Sequence, residues 1–285
     1  MKVFLPCDSA QSLGGGFSFR RNFIKGLSYF PGHFLVERVE EADICLVAGV
    51  TMVTRETIDK IKGLGKKLVV RLDNVPRNSR NRNTGTSRLK EFSQKANAIV
   101  WQSEWAKWYL QDFIAKPGLI IYNGVDTEVF GPDGDKYDFK GKPVFLYSRF
   151  NRDETKNWEV AWYEYQLIQR ANREAKLVLV GNFSPEQMEY NFDFFRGERF
   201  EYLGIVDNQK EMAKIMRSCD YFLATYFNDC FSNTYLEALC SGVKLTRISK
   251  TGGTSEMLGL WETRGREFFS LKRMVEDYLN LFGIL

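Results

Sequence analysis

The chain has 285 residues, 44% of them hydrophobic, which suits two small α/β domains and excludes wholesale disorder. Net charge is +4 and unevenly spread. Residues 1–122 hold 19 Lys and Arg against 11 Asp and Glu, a net of +8, and the remainder holds 21 against 25, a net of −4. A basic first half points to an anionic partner there, or simply to a solubilising surface.

No apolar run reaches the roughly 18 residues of a membrane-spanning helix, and the start Met-Lys-Val-Phe-Leu-Pro-Cys reads as a short strand, not a leader. The five cysteines, Cys7, Cys45, Cys219, Cys230 and Cys240, include no Cys-x-x-Cys pair. Neither a zinc site nor a disulfide framework is indicated, and a reducing cytoplasm (the host's, for a viral chain) is the expected location.

In chain order, apolar runs at Met1–Leu5, Ile44–Val47, Leu68–Leu72, Ala98–Trp101 and Leu119–Tyr122 predict strands. Phe17–Tyr29, Thr54–Leu64, Leu89–Lys95 and Glu104–Phe113 predict the helices between or beside them. Such alternation argues for a parallel, doubly wound sheet. Gly131-Pro-Asp-Gly134 is a turn-rich break. Beyond it the pattern repeats, with strands at Val144–Tyr147, Leu177–Val180, Phe200–Tyr202, Tyr221–Ala224 and Lys244–Thr246. A helix over Thr155–Ala171 puts Trp158, Ala161, Trp162, Tyr165 and Ile168 on one face, most simply as core. Residues 271–285 read as a last helix. The expected division is residues 1–125 and 126–270.

Gly14-Gly-Gly16 sits between a strand and a helix, where Gly15 and Gly16 could let backbone approach a phosphate or sugar, or form a flexible loop. The run is not Gly-x-Gly-x-x-Gly, and no Gly-x-x-x-x-Gly-Lys-Ser/Thr occurs, which disfavours dinucleotide oxidoreductases and P-loop NTPases. The most informative stretch is Asp229-Cys-Phe-Ser-Asn-Thr-Tyr-Leu-Glu237, in which seven residues separate the two carboxylates. It follows a strand, turns through small polar residues and opens a helix whose free N–H groups make an anion site. Ser232 or Thr234 could equally be a plain helix cap.

That stretch resembles the signature of retaining glycosyltransferases of GT-B fold, in the large family that includes sucrose synthases and bacterial mannosyl- and glucosyltransferases. Three further segments match in the expected order: Ile121-Tyr-Asn-Gly-Val-Asp-Thr-Glu-Val-Phe130, Phe145-Leu-Tyr-Ser-Arg149 with Lys156 soon after, and Leu177-Val-Leu-Val-Gly181. The resemblance covers roughly residues 121–260 and is loose before them. It departs at two places. The first acidic residue, usually glutamate, is Asp229, and the histidine common after the strand ending at Leu72 is replaced by Asp73-Asn74; the single histidine is His33.

The resemblance implies an α/β GT-B architecture, two Rossmann-like doubly wound domains facing a cleft, with the last helix packing back on the first domain. It implies transfer from a nucleotide-diphosphate sugar, UDP-sugar favoured and GDP- or ADP-sugar as alternatives, with no obligatory metal. Arg149 and Lys156 would hold the diphosphate, joined by the turn Phe231, Ser232, Asn233 and Thr234, with Gly15 and Gly16 nearby. Glu237 would hold the ribose, Asp229 would orient the sugar, and Asp73 would serve on the acceptor side.

The run Arg77-Asn-Ser-Arg-Asn-Arg-Asn-Thr-Gly-Thr-Ser-Arg-Leu-Lys90 is basic and almost free of apolar residues. It predicts an exposed loop in which Arg77, Arg80, Arg82 and Arg88 meet an anionic acceptor: DNA, or a phosphate-bearing lipid or glycan, the lipid bringing peripheral membrane contact. Two alternatives stand beside the general reading. One is a DNA-modifying glycosyltransferase acting on hydroxymethylated bases. The other is an inactive member kept as a nucleic-acid-binding or scaffold protein.

Overall fold

In a computed structural model, the described residues are 1–10, 14–75, 83–150, 154–182, 199–247 and 249–285. They fall into two compact units. Unit 1 comprises Met1–Asp126, Asp229–Asn233 and Gly252–Leu285, and unit 2 comprises Thr127–Asn228 and Thr234–Thr251.

Unit 1 opens with β1 (Lys2–Phe4), α1 (Gly15–Leu27), β2 (Phe34–Val36), β3 (Ile44–Val47) and α2 (Arg55–Gly63). It continues with β4 (Lys67–Leu72), α3 (Asn83–Lys95), β5 (Ala98–Trp101), α4 (Glu104–Ile114) and β6 (Leu119–Ile120). The strands form one sheet of order β2-β1-β3-β4-β5-β6, parallel throughout. β3 and β4 are buried nearly end to end because parallel strands are covered on both faces. Side-chain oxygens start the helices: Thr54 accepts from Thr57 N–H at the head of α2, and Ser103 from Ala106 N–H at the head of α4.

Unit 2 carries β7 (Val144–Phe150), α5 (Trp158–Ala171), β8 (Lys176–Gly181) and β9 (Phe200–Tyr202). After these come α6 (Gln209–Arg217), β10 (Tyr221–Phe222), α7 (Asn233–Cys240) and β11 (Lys244–Leu245). Its sheet has the order β11-β10-β7-β8-β9, again all parallel. On α5, Ala161 and Tyr165 are fully buried, while Trp158 and Trp162 stack on each other half-buried.

The chain then returns to unit 1 with α8 (Thr254–Arg264) and α9 (Leu271–Gly283). α9 lies on α1. A side chain at Gly26 would meet Val275 Cγ2 at 2.6 Å, and the Tyr278 ring packs edge-on against Phe19 and Phe23 at 5.5 and 5.6 Å. Each of these buried aromatic rings contributes on the order of 2–3 kcal/mol.

Two expectations differ from the structure. Residues 229–233 and 252–270, expected in the second domain, cluster with unit 1, because backbone groups there bond to Ser103, Asn123 and the 122–125 segment. The basic run is not loop throughout: from Asn83 it is helix α3, so Arg88 is helical and half-buried. Arg77, Arg80 and Arg82 lie outside the described residues. β2, α6 and α8 carried too little periodic signal to be anticipated.

Candidate active site

In open parallel sheets, ligands bind at the carboxyl ends of the strands, where neighbouring strands send their connections in opposite directions. Unit 1 has that point between β1 and β3. Gly14 leaves β1 with φ 137° and serves as the N-cap of α1. Gly49 follows β3. A side chain at Gly49 would come within 2.7 Å of Asp73 Oδ2, and one at Gly16 would meet Met52 Sδ at 2.6 Å and Asp73 Oδ2 at 3.6 Å. The Asp73 carboxylate, half-buried just past β4, therefore stands over two glycines, with Val50 N–H donating to its Oδ1 at 3.3 Å. Gly15 has nothing within 4 Å of its added carbon and contributes no close approach.

The other sequence-nominated carboxylate of unit 1 is Asp229. Its Oδ1 accepts from Phe231 N–H at 3.2 Å. The Phe231 N–H thus serves Asp229, and its ring packs with Tyr122 and Phe269. The segment is fixed on its other side by Ser103 Oγ, which donates to Cys230 O at 2.7 Å, and by Asn123 Nδ2, which donates to Phe231 O at 3.1 Å. Gly253 is required nearby, since any side chain there would sit 2.2 Å from Cys230 O.

Unit 2 has its reversal point between β7 and β10. β7 ends in a register shift between Ser148 and Phe150, and Arg149 within it has φ 62°. Asn157 and Asn228, at the same edge, also have positive φ, of 56° and 51°. Among the described residues only one other non-glycine, Ala115 closing α4, shares this conformation. Left-handed backbone at a non-glycine residue costs on the order of 1 kcal/mol and gathers at functional sites.

Lys156 is only 6% exposed. Tyr147 Oη and Thr225 Oγ1 both donate to its backbone carbonyl, at 2.9 and 3.2 Å. Its ammonium lies 4.2 Å from the centre of the Tyr226 ring, a cation–π contact. Tyr226 is in turn stacked on Tyr235 at 4.5 Å, and its hydroxyl donates to Ser148 O.

Helix α7 is buried along its whole length. Ser232, Asn233 and Thr234 at its start are all under 9% exposed, and Asn233 Oδ1 is buried without a hydrogen-bond partner among the described residues. The N–H groups of the first turn have no intrahelical acceptor. Glu237 follows one turn later, 8% exposed. Each unit thus brings its own sequence-nominated residues to one sheet edge: Gly16 and Asp73 in unit 1; Arg149, Lys156 and α7 from Thr234 onward in unit 2. Gly49, Tyr226 and the polar cluster Arg71–Gln102–Asn123 were missed. A charge in the middle of the buried run Lys-Leu-Val-Val-Arg-Leu was the available signal for the last.

Residues 141–263 match the family described as Glycosyl transferases group 1. This stretch is a group 1 glycosyltransferase domain. It spans the unit 2 sheet and the 229–233 segment that unit 1 holds. Solved structures share the fold across the entire chain. The crystal structure of Anabaena HepE in complex with UDP has a TM-score of 0.71 at 11% identity and covers 100% of both chains. The lipopolysaccharide outer core galactosyltransferase WaaB, in its apo form, has 0.59 at 14%, again with 100% of both chains covered. A putative UDP-N-acetylglucosamine 2-epimerase from Listeria monocytogenes has 0.62 at 14%, over 99% of this chain and 88% of that one. At these identities the comparison establishes the fold, which is GT-B. A search of curated protein sequences returned no match. No helix among the described residues is long and apolar enough to cross a membrane.

Proposed function

We propose that this glycosyltransferase takes its sugar from a UDP-sugar and passes it, with retention, to an acceptor hydroxyl. The observation that carries the reading is the buried charge at the edge of the unit 2 sheet, Lys156 on Tyr226 and Glu237 in the buried helix α7. Burying a charge costs several kcal/mol, so a fold keeps one at a strand end for a purpose. Lys156 and Arg149 neutralise the leaving diphosphate, Arg149 as a fork and Lys156 as a point charge. The first N–H groups of α7 meet phosphate oxygens in the same way. Glu237 accepts from the ribose hydroxyls. Asp229 orients the sugar, and Asp73 faces the acceptor. Uridine is favoured because structures of this fold, HepE among them, hold UDP. Retention rests on the resemblance of the Asp229–Glu237 run.

An anionic acceptor fits the net charge of residues 1–122 and Arg88, whose Nε is buried without a partner among the described residues. A phosphate-bearing lipid or glycan meets that requirement. A DNA acceptor has no support beyond the basic run, part of which is α3, and is not carried forward.

The test is a panel of UDP-, GDP- and ADP-sugars read by thermal shift and by hydrolysis. A bound donor at a hundredfold excess over Kd should raise Tm by about 3–8 °C and be slowly hydrolysed. NMR of the released sugar's anomeric proton then reads stereochemistry. Binding without hydrolysis or transfer, or no binding at all, would favour an inactive binding protein.

A further inference from the structure

We propose that Arg71 is a positioning residue for the transfer reaction: through Asn123 it sets the backbone of Phe231, and with it the Asp229 carboxylate. The proposal rests on the glycosyltransferase reading for its kinetic consequence but not for its structural one.

Arg71 lies in β4 at the centre of the unit 1 sheet, 1% exposed. Among the described residues no carboxylate pairs with it. Nη1 donates to Ala48 O at 2.8 Å, Nη2 donates to Gln102 Oε1 at 2.6 Å and to Asn123 Oδ1 at 3.0 Å, and the guanidinium lies 4.2 Å from the Phe19 ring centre. For core packing alone, a leucine would fill this position without the desolvation cost.

A guanidinium can only donate. Both amides must therefore turn their oxygens toward Arg71, which dictates where their NH2 groups go. Gln102 Nε2 donates to Leu72 O at 2.8 Å, and Asn123 Nδ2 donates to Phe231 O at 3.1 Å. A free asparagine could present either end to Phe231; one held by Arg71 presents only its donor. The N–H of the same Phe231 is taken by Asp229 Oδ1. Asn123 and Phe231 thus join the buried arginine to the site carboxylate. Burial pulls the Arg71 pKa below its ordinary value, while Asp73 and Asp229 nearby act in the opposite sense. The guanidinium stays charged and remains a pure donor.

The experiment uses the full chain with Arg71→Met, Asn123→Ala and the double variant. It reads amide hydrogen exchange across residues 229–233 together with kcat and donor KM. Each single change should quicken exchange there about tenfold or more. The double change should add nothing, because both act on one connection. kcat should fall roughly 10- to 100-fold, with donor KM within about threefold. Arg71→Lys keeps the charge, but its ammonium ends one bond short of the Nη2 that serves both amides, so it should behave like Arg71→Met. Unchanged exchange at 229–233, or effects that multiply in the double variant, would overturn the proposal. If Arg71→Met does not fold, Asn123→Ala decides alone: exchange must rise at 229–233 while β4 and β5 stay protected. A wild-type chain that turns over no donor sinks the enzymatic reading, and the exchange data still judge Arg71.

Discussion

At the carboxyl edge of its sheet unit 1 sets a carboxylate over glycines, whereas unit 2 sets cations on a backbone driven into left-handed conformations. The sheets are built alike, parallel with one reversal of strand order, so topology does not account for the contrast. Bulk charge does not account for it either. The half of the sequence with net +8 supplies Asp73, and the half with net −4 supplies Arg149 and Lys156. Chemistry on such folds is set by a few side chains at one edge. The edge that carries conformational strain is the one proposed to hold the diphosphate.

The sharpest way to break that comparison is Lys156→Met, which keeps the bulk over Tyr226 and removes the charge. It should lower kcat/KM for the donor by about 10³-fold, on the scale of losing a preorganised electrostatic contact. A value within threefold of wild type would make Lys156 a packing residue. Arg149→Gly tests strain and charge together. Glycine accepts φ 62° without penalty, so Tm should rise by roughly 1–3 °C while donor kcat/KM falls about 10²-fold. A fall in both would mean that Arg149 serves stability.

On the unit 1 edge the expected effects are smaller and concern space. Gly16→Ala should cost about 1–2 kcal/mol in denaturant unfolding, since its new carbon meets Met52 Sδ at 2.6 Å. Gly15→Ala should stay within about 0.5 kcal/mol of wild type or stabilise α1. Equal costs would remove the cradle beneath Asp73. The smallest effect is a labelling count. Cys7 is half-buried, whereas the other four thiols are buried, with Cys45 pushed up to about 12 by burial and Cys219 also raised by burial. Reaction requires the thiolate, which such a rise makes scarce at pH 8. A disulfide reagent should titrate one thiol per native chain and five after denaturation.

Much of this was legible in the sequence. β3, β5 and β9 fall where their apolar runs stand, and α7 opens at the small polar turn. α3 was misjudged over Asn83–Arg88 because Asn, Thr, Gly and Ser favour turns locally, whereas packing of Leu89 and Phe92 extends the helix. The membership of residues 229–233 in unit 1 could not be read locally, because its cause is two hydrogen bonds from residues more than 100 positions away. Arg71 was passed over because a strand pattern records what is apolar and says nothing about an isolated charge within it.

α9 also governs the order of assembly. Domains tend to form as they leave the ribosome. Unit 2 is complete in sequence once Thr251 has been made, but unit 1 still lacks the helix that covers Phe19 and Phe23. The first-made unit is therefore the last to close, and until Tyr278 arrives its α1 face is the surface a chaperone would find.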